Sequence, residues 1–399
     1  MIPAGADRLP RDVAVLAVIA FFVMLGFGVV IPVLPVYVRS FGVGYIEVGA
    51  VVSAFALMRL LASPGAGWLL TRGGERTILA VGIGVVAISS GLVGLAQNFE
   101  QVLVLRAVGG IGSAMFTIAA MSLLLRTTPA HLRGRAMSLY QGGFLIGGMA
   151  GPALGGVLAV ISLQAPFFFY AAMLAVAGVV GLLLLHAPDA GSALPTKVAP
   201  MPLREAFGDV RFVAACVANL AQGWASMGVR SAFVPALVVE VLFQEELWTG
   251  VAFAIAAVAQ TLTLVPAGRL VDTVGRRPIL VGSYALAAVS MAIIPFSPNL
   301  IVLIIALCLY AVAAAFMGTA PAATVGDVTA GRTGQPVAVF SAFSDVGAII
   351  GPLIAGYLAD TVSLTAAFAS AVVILALSAV ISAAIRPRKV NLGSNSVNT

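Results

Sequence analysis

Apolar residues in this chain come in long runs separated by short polar breaks. Twelve runs stand out, at about 13–38, 46–70, 77–96, 101–126, 136–160, 166–186, 211–236, 247–270, 278–297, 300–327, 336–360 and 364–385. Each is long enough to cross a bilayer as a helix, for which about 20 residues suffice. The longest polar break, 187–210, holds Pro188, Pro195, Pro200 and Pro202 and divides six runs from six. Its end, Pro202 to Phe212, reads equally as a short amphipathic surface helix or as a plain connector.

The two sets of six are copies. GGMAGPALGG (Gly147 to Gly156) returns as GAIIGPLIAG (Gly347 to Gly356), and GWLLTRGGERTIL (Gly67 to Leu79) returns as GRLVDTVGRRPIL (Gly268 to Leu280). Two cassettes at offsets of 200 and 201 residues mark a duplicated half. The expected fold is an all-α membrane protein of twelve transmembrane helices in two pseudo-symmetric six-helix bundles. Residues 1–188 form the first bundle, 189–210 the linker and 211–399 the second. A duplication of this kind in an apolar chain points to a transporter with its pathway between the halves.

Composition agrees. Hydrophobic residues make up 61% of the chain and charged residues 9%, whereas a soluble domain carries about 25% charge. The 43 glycines suit helices that approach closely in lipid. Cys216 and Cys308 both sit in apolar runs and read as core filler rather than a disulfide. Arg8 and Arg11 precede an apolar run too long for a signal-peptide core, so the first span is expected to be retained. No nucleophile, metal cluster, cofactor motif or phosphate loop appears, which argues against an enzyme.

Charge orients the chain. With both termini cytoplasmic, seventeen Lys and Arg fall on that side, and only Arg39 falls outside. Glu100, Glu240, Glu245 and Glu246 collect on the outer side. This is the positive-inside pattern of a cytoplasmic (inner) membrane protein. The net charge of +6 therefore needs no nucleic-acid partner. The expected partners are a small-molecule substrate, protons and the lipid bilayer. Nothing in the sequence calls for an oligomer, so a monomer is expected.

Four motifs carry more specific information. The first span reads LGFGVVIPVLP (Leu25 to Pro35), whose Pro32 and Pro35 bend the helix; Pro235 echoes Pro35 in the seventh. The loop after the second span reads Gly67, Thr71, Arg72, Gly74, Glu75, Arg76, and its copy reads Gly268, Asp272, Gly275, Arg276, Arg277. The fourth span has Arg106, Gly110 and Gly112. Arg106 lies roughly 10 Å below the outer surface, about six residues at 1.5 Å each. An arginine there is costly unless paired, hydrated or snorkelling outward. The fifth span has Gly147, Gly151, Pro152, Gly155 and Gly156, a flat glycine stripe with a proline bend.

Together these motifs resemble the major facilitator superfamily, in particular its twelve-span drug:proton antiporter branch, over essentially the whole chain. The resemblance implies the major facilitator fold and marks Gly147 to Gly156 as the antiporter motif. It implies a cytoplasmic gate made by the Gly67 and Gly268 cassettes, closed by charge pairs and by an aspartate facing a helix N-terminus. Thr71 cannot supply that charge, so the Asp272 side is expected to dominate. It also gives Arg106 a part in proton transfer.

A proton-coupled carrier needs a titratable group in the membrane. Asp345 is the only acid well inside an apolar run, and the first span has none. Counting from the basic ends puts Asp345 and Arg59 both about 15 Å deep. In the fold that the chain resembles, their spans pack together across the halves. An Arg59–Asp345 ion pair is therefore expected, either as a proton-sensitive clasp or as a static packing pair. The same fold implies a cavity lined by spans 1, 4, 7 and 10. Its candidates are Phe21, Met24, Phe27, Met115, Phe116, Asn219, Gln222, Trp224, Tyr310, Phe316 and Met317. Any single Phe or Met among these reads more readily as lipid-facing or core filler than as a cargo contact, whereas Asn219 and Gln222 read the other way, because amides are costly in hydrocarbon without a purpose.

The expected function is proton-driven export of small apolar or amphipathic compounds by alternating access. Alternatives are export of a sugar, metabolite or glycolipid on the same scaffold, proton symport (which the complete fifth-span motif opposes), or a receptor that does not transport. Arg106 and Arg230 would tolerate neutral or weakly anionic cargo.

Overall fold

The structure is a computed structural model. It describes residues 9–129, 132–186, 201–329 and 335–384. Most of the central linker, the loop at His131, and Arg8, Lys197, Arg332, Arg386, Arg388 and Lys389 lie outside the described residues, as does the Thr71 side chain.

Among the described residues, twelve helices are long and apolar enough to cross a membrane. In the first half they are α1 (Arg11–Val30), α2 (Tyr45–Gly73), α3 (Glu75–Val93), α4 (Phe99–Thr127), α5 (Arg133–Ile161) and α6 (Ala165–Leu184). In the second they are α7 (Val210–Val241), α8 (Glu246–Thr273), α9 (Arg276–Phe296), α10 (Leu300–Thr329), α11 (Gln335–Thr361) and α12 (Leu364–Ala384). Pro32 ends the regular part of α1, and a short helix Leu34–Arg39 continues it. The segment Leu203–Phe207, open to two readings in the sequence, is a short helix ahead of α7.

The helices pack as two equivalent sets. Helix α1 lies on α5 and α6, and α4 on α2 and α3; in the second half α7 lies on α11 and α12, and α10 on α8 and α9. The halves meet where α2 packs on α11 and α5 on α8. One face of the molecule carries the start of α1, the end of α12 and most of the arginines; this is the basic face. The opposite face carries Glu47, Glu240, Glu245 and Asp360 and is called the acidic face.

The equivalence extends to single hydrogen bonds. Asn98 caps α4 by accepting from the Gln101 amide at 3.0 Å, and Asn299 accepts from the Val302 amide at 3.0 Å. Such caps satisfy amides that a helix start leaves open. Arg76 donates to the Leu182 carbonyl, and Arg277 donates to the Ala383 carbonyl. Gly74 and Gly275 each have positive φ, 72° and 99°, a backbone region open to glycine at no steric cost. That explains why both cassettes keep a glycine at this turn.

Helix α7 departs from regularity. Over Gly223–Arg230 and Leu237–Val241 it widens into π-helical turns, with Pro235 between them. Its counterpart α1 breaks at Pro32 instead. Both helices lying against the pathway are therefore distorted, which is where such distortions concentrate.

Candidate transport pathway

The seam between the halves is tight toward the acidic face. A Cβ placed on Gly49 of α2 would strike the Pro352 carbonyl of α11; one on Gly250 of α8 would strike the Pro152 carbonyl of α5. Gly156 packs on Gly250, and Gly356 packs on Tyr45 and Ile46. Ser53 donates to the Ile349 carbonyl across the same seam at 2.6 Å. The fifth-span motif thus faces two ways. Gly147, Gly151 and Gly155 lie against α1 of their own half, while Pro152 and Gly156 meet α8.

Polar contacts close the acidic face. Arg39 donates twice to Glu240, at 3.0 Å each, and the Tyr45 hydroxyl donates to the same carboxylate at 2.7 Å. The Arg39–Glu240 hydrogen bond raises the arginine above its ordinary value. Asp360, at the end of α11, accepts from the Tyr45 and Ile46 amides at 2.8 Å each and so caps α2 across the halves.

Toward the basic face the seam is open. Nothing lies within 4 Å of a Cβ placed on Gly67, Gly134, Gly142 or Gly268. The gate cassettes are engaged inside their own halves. Arg72 stacks on Trp68 with its guanidinium carbon 4.0 Å from the ring centroid, and Arg76 reaches the Leu182 carbonyl. Arg276 bonds Asp272 at 2.7 Å and Asp327 at 3.1 Å. Asp272 is therefore occupied by its own half in this conformation and not by the N-terminus of a helix across the seam.

Between these ends, Arg59 of α2 bonds Asp345 of α11. The pair separates two spaces. On its acidic side is a chamber of about 90 Å³, lined by Phe27, Val30 and Ile31 of α1, Phe55 of α2, Arg106 of α4, Met227 and Ser231 of α7, and Ala348 of α11. On its basic side a vestibule of about 470 Å³ is lined by Ser63, Thr117, Asn219, Phe340, Ser341 and Ser344. Arg59 borders both. Asn219 donates to the Phe340 carbonyl at 2.7 Å, so its amide is satisfied by α11.

The sequence candidates scatter around this axis. Phe27 lines the chamber and Asn219 the vestibule. Met115, Tyr310 and Met317 are buried within their own bundles. Phe116 faces a small void inside the first bundle with Tyr170 and Ile83. The Trp224 indole donates to Ser370 of α12 at 3.2 Å, away from the seam. Phe21 stacks on Phe22 with centroids 5.3 Å apart, Met24 lies beside Gly148 and Gln222 near Gly318, and Phe316 packs on the core. Met115, Tyr310, Met317, Phe116 and Trp224 thus pack away from both spaces in this conformation. Helices apolar around their whole circumference carry no stripe that marks the pathway face. Phe55, Met227, Ser231, Ser341 and Ser344 were not legible for the same reason.

Against the family models, the Major Facilitator Superfamily model matches residues 16–242 and again 220–398. The chain belongs to the major facilitator superfamily. Among relatives, this superfamily member is 30% identical over 182 residues to "Quinolone resistance protein NorA" of Staphylococcus aureus, covering 45% of this chain and 46% of that one. It is 30% identical over 169 residues to "Multidrug resistance protein 1" of Bacillus subtilis, covering 42% and 43%. The matched region thus spans somewhat under half the length of those curated relatives. Among solved structures, a bacterial homolog of the human lysosomal transporter Spinster, in an inward-facing and occupied conformation, superposes with a TM-score of 0.76 at 17% identity, covering 94% of this chain and 97% of that one. The nucleoside transporter NupG superposes at 0.74 and 14% identity, covering 93% and 98%. These structures share the fold. With its twelve apolar helices, the protein is an integral membrane protein of the superfamily.

Proposed function

We propose that this transporter exports small apolar or amphipathic compounds in exchange for protons, by alternating access about the glycine-lined seam. The arginine asymmetry supports a cytoplasmic basic face, from which the vestibule receives cargo. The observation that carries the reading is the Arg59–Asp345 pair. It joins the halves at the point where vestibule meets chamber. Ionised Asp345 holds Arg59 and keeps α2 and α11 together there. A proton on Asp345 removes one charge of the pair and releases the contact, which links protonation to relative movement of the halves. The similarity to a quinolone resistance protein and a multidrug resistance protein supports drug-type cargo.

The test is flux in proteoliposomes with an imposed pH gradient, read with a trapped pH-sensitive dye against a compound panel. Wild type is expected to move protons when cargo is added. Asp345→Asn is expected to keep downhill cargo exchange and lose gradient-driven accumulation. Unchanged gradient-driven accumulation by that variant sinks the reading.

A further inference from the structure

The chamber holds a charge that the resting protein leaves unanswered. Arg106 is buried, 7% exposed, and lines the chamber wall. Its Nε has no hydrogen-bond partner. Its guanidinium carbon sits 4.4 Å from the centroid of the Phe55 ring, and no carboxylate bonds it among the described residues. Arg59 also borders the chamber but is answered by Asp345. Other ionisable groups around Arg106 do not balance it. Tyr170 of α6 is buried and neutral as a phenol, and Arg230 of α7, half-buried beside the Phe253 and Tyr310 rings of the second bundle, is itself a cation. The rest of the wall is apolar: Phe27, Val30, Ile31, Met227 and Ala348. A guanidinium in such surroundings is costly without a counterion. A planar carboxylate is the group its fork fits best.

We infer that the chamber is a site for an aromatic monoanion, with Arg106 taking the carboxylate and Phe27, Phe55 and Met227 enclosing the ring. The inference rests on the exporter reading for its purpose and narrows the cargo class. A cation is disfavoured, because among the described residues no carboxylate lines the chamber, and Asp345 is already bonded to Arg59 at its border. A bound carboxylate also gives Arg59 a second acceptor. Arrival of cargo from the vestibule then loosens Arg59 from Asp345 and frees that acid to take a proton.

The experiment is calorimetric titration of the full-length protein in phosphatidylcholine nanodiscs with three matched probes: 2-naphthoate, 2-naphthamide and 2-naphthylmethylammonium. Wild type is expected to bind the naphthoate at least tenfold more tightly than the amide, and the ammonium most weakly. Arg106→Gln is expected to bring acid and amide within twofold, while Arg106→Lys retains part of the preference. Equal binding of acid and amide by wild type, or a preference that survives in Arg106→Gln, overturns the inference. Should Arg106→Gln fail to fold, the wild-type ranking of the three probes still decides. No proton gradient is present, so failure here and failure of proton-driven flux appear in separate measurements.

Discussion

Glu75 accepts a hydrogen bond from Arg126 at 2.5 Å, and the residues 201 positions further on, Arg276 and Asp327, bond each other at 3.1 Å with the charges reversed. The same two places in the two bundles are thus held by one ion pair of opposite sense. Read alone, Glu75 looks like a lapse in a basic cassette. Beside Arg126 it is one half of a compensated swap. The pair ties the start of α3 to the end of α4, and its copy ties α9 to α10. Ser122 adds a hydrogen bond to Glu75 at 3.2 Å.

This arrangement predicts an asymmetric pair of mutants. The Glu75 side chain is only 7% exposed and that of Arg126 20%. Losing a charge-assisted hydrogen bond at so little exposed a site costs about 1.5–3 kcal/mol. Glu75→Gln should lower the stability of the purified protein by that order in detergent unfolding. The double change Glu75→Arg with Arg126→Asp installs the arrangement of the second half and should recover most of the loss. A double mutant no more stable than the single one would show that the position, not the pairing, matters.

The glycines of the seam predict opposite responses at its two ends. A Cβ on Gly250 would lie 2.7 Å from the Gly156 Cα, with the backbone of α5 unable to yield. Overpacking of that kind costs about 1–3 kcal/mol. Gly250→Ala should therefore lower the unfolding midpoint and loosen the acidic face. Gly268 faces open space, so Gly268→Ala should leave stability within about 0.5 kcal/mol. Its effect should appear in flux, because the basic face must close over that position in the alternate state. Full flux by Gly268→Ala would mean that this face never packs on the cassette.

Much of the fold was legible because lipid imposes long apolar runs, and because duplication writes each constraint twice. The Arg59–Asp345 contact could be anticipated by counting depth along two helices that the resembled fold brings together. The lining of the chamber could not. Met115 and Phe116 are neighbours in sequence, yet one is buried in the bundle core and the other borders a void inside it, whereas Phe55 and Met227 reach the chamber. Side chains on an evenly apolar helix are sorted by packing against neighbours, and that information is not local. The clasp of Arg39 and Glu240 has a similar cause. The partners are 201 residues apart, and an isolated arginine on an acidic face reads as an exception until its partner is seen.

That clasp yields the last prediction. The Arg39 and Glu240 side chains are 30% and 34% exposed, so solvent screening limits the pair to about 1 kcal/mol. Because it spans the halves, that energy bears directly on the balance between closed and open acidic face. A change of about 1 kcal/mol shifts such a two-state population about fivefold. Glu240→Gln should therefore speed modification of Ser231→Cys, a chamber position, by a membrane-impermeant maleimide added from the acidic face. The measurement needs Cys216→Ser and Cys308→Ser in the background. High salt should accelerate labelling of the clasp-intact protein, because exposed pairs weaken as ions screen them, and should do little to Glu240→Gln. Labelling that stays the same in Glu240→Gln would place closure in the Gly156–Gly250 and Asp360 contacts instead, with the clasp a bystander on the surface.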